Sequence, residues 1–290
     1  MDSPVNRVSQ ANYLLIDGVL RPDALARLYQ RGEPLEIVPL YLGTRWSELQ
    51  DLGPILVSLL GPSTLIGEEY EQADASLLSS RASMQVVADH LRRFIAPPDV
   101  LGGSGLLRFA DPLVARHWLE SYQGTHLDGI LGPIEAWHVP EGQHSWEAPP
   151  QSAWRSFVRA GPAPDGVNAL LGEGQLEALN SAGRWRFMER LNLRLEQRHP
   201  LPFAQVHNSI RTQWFDQRLD EAETWGLSSE CSLAIWVEYS VRWGVGFAFQ
   251  SDGPYQHWLL HNPDALQLAP ELRIQRMDND CLPTENHKDM

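Results

Sequence analysis

The sequence predicts two parts: an α/β lobe built on a mixed sheet with helices, then a mostly α-helical lobe. Over roughly the first 140 residues, short apolar runs bounded by turn residues alternate with amphipathic stretches, the pattern of a layered α/β domain. Beyond Gly174 the apolar side chains recur in steps of three and four, the helical period. Between the two lie Pro140, Pro149, Pro150, Pro162 and Pro164 with several glycines, a composition that breaks regular structure. The expected boundaries are residues 1–139 for the α/β domain, 140–173 for a Pro/Gly-rich linker, and 174–290 for the helical domain with a polar tail.

In the first part, Tyr13 to Ile16 is a short apolar run closed by Asp17-Gly18, and Pro22-Asp23 opens a helix over Ala24 to Tyr29. Leu35 to Leu42, Ile55 to Leu60 and Ala75 to Leu78 are candidate buried strands, which periodicity alone does not separate from buried helix. Ala82 to Ile95 is an amphipathic helix, with Met84, Val87, Leu91 and Phe94 on one face and Asp89, Arg92 and Arg93 elsewhere. After Pro97-Pro98 and the Gly102 to Gly105 loop, Leu106 to Phe109 reads as a strand. Pro112 then opens a helix through Leu119, and Leu131 to Trp137 adds a strand.

In the second part, Leu176, Leu179, Trp185, Met188, Leu191 and Leu195 give a helix that stops before Pro200, and Phe203, Val206, Ile210 and Trp214 begin another. Leu233 to Val245 is apolar almost all round, apart from Glu238 and Arg242, and should be a helix enclosed by its neighbours. Met277 to Met290 reads as a frayed polar tail.

Charge and residue choice exclude several functions. The 290 residues carry 23 Lys and Arg against 37 Asp and Glu, a net charge of −14. A field of that sign repels phosphate, which argues against nucleic-acid partners and polybasic membrane attachment. No apolar run approaches the roughly 20 residues of a bilayer crossing, and Met1 to Val8 lacks the apolar core of a signal peptide. With Cys231 and Cys281 read as free thiols, the expected location is the cytoplasm. Lys288 is the only lysine. The body of the chain therefore has no Walker A lysine, no Schiff-base lysine and no Ser-Lys dyad.

The remaining motifs assemble no active site. Gly102-Gly103-Ser104-Gly105 runs into Leu106 where a nucleophile elbow needs glycine, and Arg108 stands where a dinucleotide-binding loop needs its third glycine. His257 and His261 lie one helical turn apart but enclose no glutamate, and only Asp252 or Asp264 is near enough in sequence to add a carboxylate. They read as surface residues, and His138 and His144, beside Trp137 and Trp146, as loop residues. Asp111 before Pro112 reads as a helix cap with Arg108 as its ion-pair partner, and Asp17-Gly18 and Asp51-Leu52-Gly53-Pro54 as turn formers at the ends of core runs. Neither a cofactor nor a metal is expected. Of the 11 tryptophans, eight lie from Trp146 to Trp258. Such side chains suit both cores and protein-binding clefts. Trp214, Trp225 and Trp243 are the candidates for contacting a partner helix, on the helical lobe and its cleft with the α/β lobe.

The series Tyr13-Leu14-Leu15-Ile16-Asp17, Pro39-Leu40-Tyr41, Asp51-Leu52-Gly53-Pro54, His90-Leu91-Arg92, Arg108-Phe109-Ala110-Asp111-Pro112 and Leu131-Gly132-Pro133-Ile134 followed by Trp137 resembles, in order and spacing, the Tap family of adaptor or chaperone proteins of bacterial type VI secretion, first catalogued as a domain of unknown function. The likeness covers the sequence up to Trp137, and the helical half is similar only in general character. Ala110 departs from the family, which usually places an aromatic before the aspartate. The resemblance implies a non-enzymatic cytoplasmic protein that holds a toxic effector and helps load it onto the VgrG spike, with Asp17, Asp51, Gly53, Pro54, Arg108, Asp111, Pro112, Gly132, Pro133 and Trp137 serving structure.

Two other classes stay open at this point: an immunity protein that neutralises a toxin, and a hydrolase using Arg108, Asp111 and His117. Limited proteolysis is expected to cut first within residues 140–173 if that stretch is exposed. A resistant species trimmed only at its ends would show the stretch to be packed down.

Overall fold

Apolar runs too short for a helix and closed by turn residues become the strands of one sheet. The computed structural model describes residues 11–32, 34–59, 74–147, 153–162 and 169–281. It divides into two units, one of Met1–Gln143 and Pro149–Gly183, the other of His144–Ala148 and Arg184–Met290. In the first unit the order is β1 (Tyr13–Asp17), α1 (Ala24–Gln30), β2 (Glu36–Pro39), β3 (Pro54–Ser58), β4 (Ala75–Ser79), α2 (Met84–Arg92), α3 (Pro112–Glu120), α4 (Gly124–Leu131), β5 (Ala136–Pro140) and β6 (Trp154–Val158). The strands lie in the order β2-β3-β1-β4-β5-β6. All five ladders are antiparallel, so the sheet is not mixed as the alternation of strands and helices suggested.

Side chains alternate across a strand, and here both faces are covered. Tyr13, Leu15, Leu56, Leu78 and Trp137 join one core with Val87 and Leu91 of α2, Trp118 and Leu119 of α3, and Ile130 and Leu131 of α4. Leu14, Ile16, Ile55, Val57, Ala75 and Leu77 join a second with Ala24, Leu25 and Leu28 of α1. This two-sided burial is why β1, β3 and β4 read as continuous apolar runs. The middle of the first core is aromatic: Trp118 and Trp137 meet at 6.4 Å, and Phe94 packs edge-on to Trp118 at 5.1 Å.

Four readings change, the first being the strand expected over Leu131 to Trp137: Leu131 ends α4, and only Ala136 and Trp137 of that run enter a strand, β5. Leu106 to Phe109 is not a strand: the run is irregular and passes into a turn at Phe109, bonding through Leu107 N to the Ile95 carbonyl at 3.0 Å while Leu107 and Phe109 bury in the core. Within the stretch read as a linker, Trp154–Val158 forms β6, paired to β5 from Ala136↔Val158 to Pro140↔Trp154. The prolines at 149, 150 and 164 lie outside the described residues. Met277 to Cys281 is not frayed but ends a helix with Met277 fully buried, and the rest of that tail lies outside the described residues.

A 26-residue helix, α5 (Glu173–Arg198), passes from the first unit into the second. The second unit continues with α6 (Pro200–Phe203), α7 (Asn208–Trp225), α8 (Glu230–Arg242), α9 (Pro254–His261) and α10 (Pro270–Cys281). Gly226, at φ +103°, ends α7 in the left-handed conformation that glycine adopts without penalty. As its composition predicts, α8 is enclosed: every residue from Ile235 to Ser240 is buried. Its start is tied down twice. Ser229 Oγ accepts from Ser232 N at 3.3 Å, and Glu271 of α10 accepts from the backbone N–H groups of Ser228 and Ser229 at 2.6 and 2.8 Å. Partial burial raises the Glu271 carboxyl, but hydrogen bonds from Ser232, Ser228 and Ser229 outweigh it and bring the group down to about 2.

A carboxylate depressed in the folded state adds stability above its ordinary range and loses it as pH falls through the folded value. Glu271→Gln is therefore expected to lower stability at neutral pH by about 1 kcal/mol, the size of a weakened cap, and the melting temperature with it. The gap from wild type should close between about pH 4.5 and about pH 2 in thermal scans. A gap independent of pH would show that the charge of Glu271 plays no part.

Candidate functional site

The residues that carry the motif series gather at two nodes of the first unit. At the first, β1 ends in Asp17 because the chain must turn there, and its side chain closes that turn by accepting from Val19 N and Leu20 N at 2.8 and 3.1 Å. Asp111 Oδ1 accepts from Leu113 N and Val114 N at 3.1 and 3.5 Å, capping α3, whose first residue is Pro112. Arg108 joins them. Its Nη2 lies 3.0 Å from Asp17 Oδ1 and 3.2 Å from Asp111 Oδ2, and its Nε donates to Asp17 Oδ2 at 3.2 Å. Both carboxylates are almost wholly buried, while the guanidinium is about a third exposed.

Two glycines let the backbone close round this cluster. A Cβ on Gly18 would lie 2.3 Å from the Asp51 carbonyl oxygen, and one on Gly53 would lie 2.6 Å from the Tyr41 ring. Gly18 N donates to the Gly53 carbonyl at 3.1 Å, and Pro54 opens β3 opposite Asp17. Burial, then the charge of Asp17, raises the Tyr41 phenol above its ordinary value, with Arg108 opposing. Asp51 itself is exposed and serves through its backbone.

At the second node, Gly132 ends α4 at φ +55°, and a Cβ there would lie 2.3 Å from His90 Cε1. His90 Nε2 donates to the Ile130 carbonyl at 2.8 Å, Arg159 Nη1 donates to the Gly132 carbonyl, and Ser80 Oγ donates to the Pro133 carbonyl at 2.7 Å. Trp137 is fully buried, edge-on to Phe109. The motif residues therefore close turns, cap a helix and fill the core.

Other candidates separate in space. His117 lies six residues beyond Asp111, on another face of α3. Burial, and then Arg116, push it down to about 4, so it is neutral at pH 7. His261 Nδ1 donates to the His257 carbonyl at 2.7 Å, and among the described residues no group of three His, Cys, Asp or Glu side chains is placed to hold a metal ion. His138 is not a loop histidine, whereas His144 lies outside any helix or strand, as its neighbourhood suggested. His138 is buried in β5 with Nδ1 2.8 Å from Ser156 Oγ. His144 is buried in the second unit, stacked between Trp146 and Trp185 at 4.2 and 4.5 Å, and donates to Glu189 at 2.7 Å. A cavity of about 500 Å³ in the first unit is lined by Tyr122, Gln123, His126, Ile130, Leu170 and Gln175 among others, with Ser121 on its wall. That serine donates to the Trp118 carbonyl at 2.6 Å and accepts from Gln175.

The three tryptophans proposed as partner contacts are all half-buried at the edge of the helical core. Trp225 packs on Trp236 at 5.2 Å, Trp236 on Phe247 at 4.9 Å, and Trp243 on Phe247 at 5.8 Å and Tyr239 at 4.4 Å. Trp225 and Trp243 thus end one aromatic ladder on a buried Trp236. Trp214 belongs to another set, against Phe203 and Phe215 at 6.2 and 5.3 Å. The sequence reading missed Phe249, which is 68% exposed and meets Trp236 at 6.4 Å. Its position two residues after Phe247 in a glycine-bounded segment gave no helical period by which to find it.

Residues 12–128 match the family model described as a domain of unknown function, DUF4123. The match lies wholly within the first unit. Comparisons with curated proteins and with solved structures give no match.

Removing Arg108 leaves two buried carboxylates facing each other. Arg108→Met is expected to cost about 3 kcal/mol, the low end for breaking a buried ion pair because the guanidinium is part-exposed. The measurement is denaturant unfolding followed by far-ultraviolet circular dichroism. A loss below about 0.5 kcal/mol, the size of an ordinary surface change, would show the cluster to be dispensable to the fold.

Proposed function

We propose that this protein is a non-catalytic adaptor that holds a type VI secretion effector and helps load it onto the VgrG spike. One observation carries the reading: the charged and glycine residues of the motif series are occupied in building the first unit, while the helical unit ends its aromatic ladder in Phe249, Trp225 and Trp243 at the surface. Apolar side chains held on a rigid buried aromatic are suited to gripping a partner's apolar face, because little side-chain freedom remains to be lost on binding. The match of residues 12–128 to DUF4123 falls on the stretch that resembles the Tap adaptors and supports the same reading. No helix among the described residues is long and apolar enough to cross a membrane.

Co-expression with the toxin encoded next to its gene should yield a complex that co-elutes in gel filtration. Phe249→Ser is the cleanest probe of the ladder's surface end, since so exposed a side chain contributes little to the core. It is expected to weaken capture about tenfold, or about 1.4 kcal/mol, with melting nearly unchanged, and Trp225→Ala and Trp243→Ala to weaken it with some loss of stability. An effector equally soluble, abundant and secreted in a strain lacking this protein would overturn the adaptor reading. Protection against the toxin in cells without any secretion apparatus would point to an immunity protein instead.

A further inference from the structure

We propose that the second unit carries another docking surface, an arginine and leucine ridge on α5 and α6 that takes an acidic amphipathic helix of a partner protein. This inference does not rest on the adaptor reading. It begins with spacing: Arg186, Arg190, Arg194 and Arg198 recur every four residues along α5, which places them in one row down the helix. Its last three members face α8, where among the described residues they meet two carboxylates. Arg190 pairs with Glu230 at 2.7 Å, and Arg194 and Arg198 both reach the buried Glu238, at 3.0 and 3.8 Å. His199 donates to the same carboxylate at 2.8 Å. Burial alone would raise the Glu238 carboxyl, but hydrogen bonds from His199 and Arg194 hold it below its ordinary value, so it stays ionised.

Three guanidiniums against two carboxylates leave a positive surplus on a chain whose net charge is −14. Arg198 is the natural holder of that surplus, since it is half-exposed and its contact with Glu238 is the longest of the three. Close to this row in the chain are two exposed apolar side chains. Leu193 is 57% exposed on α5, and Leu201 is 84% exposed on α6. Leu201 stands between Pro200 and Pro202, whose rings fix the backbone, and α6 is pinned by the buried Phe203 under the Arg211 guanidinium at 4.5 Å. An exposed leucine on so rigid a turn is a preformed knob.

Charge complementarity selects the occupant. Cations beside isolated leucines match a helix with leucine-sized residues on one face and glutamate or aspartate flanking them. Phosphate-bearing partners match only the arginines and leave the leucines unused.

The test uses the full chain and a fluorescein-labelled, helix-forming peptide of leucine and glutamate, with three competitors: its lysine counterpart, a version with leucine replaced by serine, and a single-stranded oligonucleotide. Anisotropy at low salt should show the leucine-glutamate peptide binding at least about tenfold more tightly than any competitor. Arg198→Glu and Leu201→Asp, both at exposed positions, should each weaken it about tenfold with unchanged melting, and Phe249→Ser should leave it intact. No binding, binding to both ridge variants as tight as to the wild type, or displacement by the oligonucleotide as strong as by the peptide would overturn the proposal. So would loss of binding in Phe249→Ser alone, which would move the peptide to the aromatic ladder. Self-association of the chain that disappears in Arg198→Glu would assign the ridge to a second copy and equally overturn it.

Discussion

One guanidinium organises the first unit. Arg108 sits on an irregular stretch that joins no strand, so nothing in a backbone ladder fixes its course, yet it must deliver the chain to the start of α3. The ion cluster does this. By reaching Asp17 at the end of β1 and Asp111 at the cap of α3, Arg108 binds a strand end, a helix start and the connection between them. Two carboxylates this buried are tolerable only with a cation between them and backbone N–H groups on their remaining lone pairs, and both conditions are met. The glycines at 18 and 53 then follow as a requirement, since the loop before β3 must pass close to Asp17.

The second unit depends on a different device. Its centre, α8, is buried nearly all round, which leaves few polar positions to fix its register. Glu271 fixes one end through Ser228 and Ser229, and Glu238 fixes the middle through Arg194 and His199. Aromatic rings fill the rest, and the ladder runs outward from the buried Trp236 and Phe247 to half-buried or exposed ends. In both units, ion pairs tie one secondary-structure element to another.

Much of this was legible in the residues, and the exceptions share a cause. Strand runs ending in Asp-Gly or beginning with Gly-Pro, the Asp111-Pro112 cap, and the apolar wrap of α8 are local signals, and the fold places them where local physics says. Leu106 to Phe109 looked like a strand because burial alone makes a run apolar, and only a free ladder position would have made it one. Trp154 to Val158 became β6 although prolines crowd its neighbourhood, because a strand at the sheet edge needs bonding on one side only. His144 lies in irregular chain as read, but its burial between two tryptophans was out of reach, because Trp146 is near in sequence and Trp185 is not. The pairing of Arg108 with Asp17 rather than with Asp111 alone was likewise out of reach, being set by the topology of the sheet.

The most direct measurement of the central claim is amide hydrogen exchange on the full chain and its Arg108→Met variant at neutral pH. If the cluster ties β1 to α3, the amides of Val19, Leu20, Leu113 and Val114, which bond to its carboxylates, should lose protection ahead of those in α8. Exchange that is unchanged at these four positions, or that accelerates equally throughout the chain, would contradict the claim that this ion cluster is what holds the first unit's connections in place.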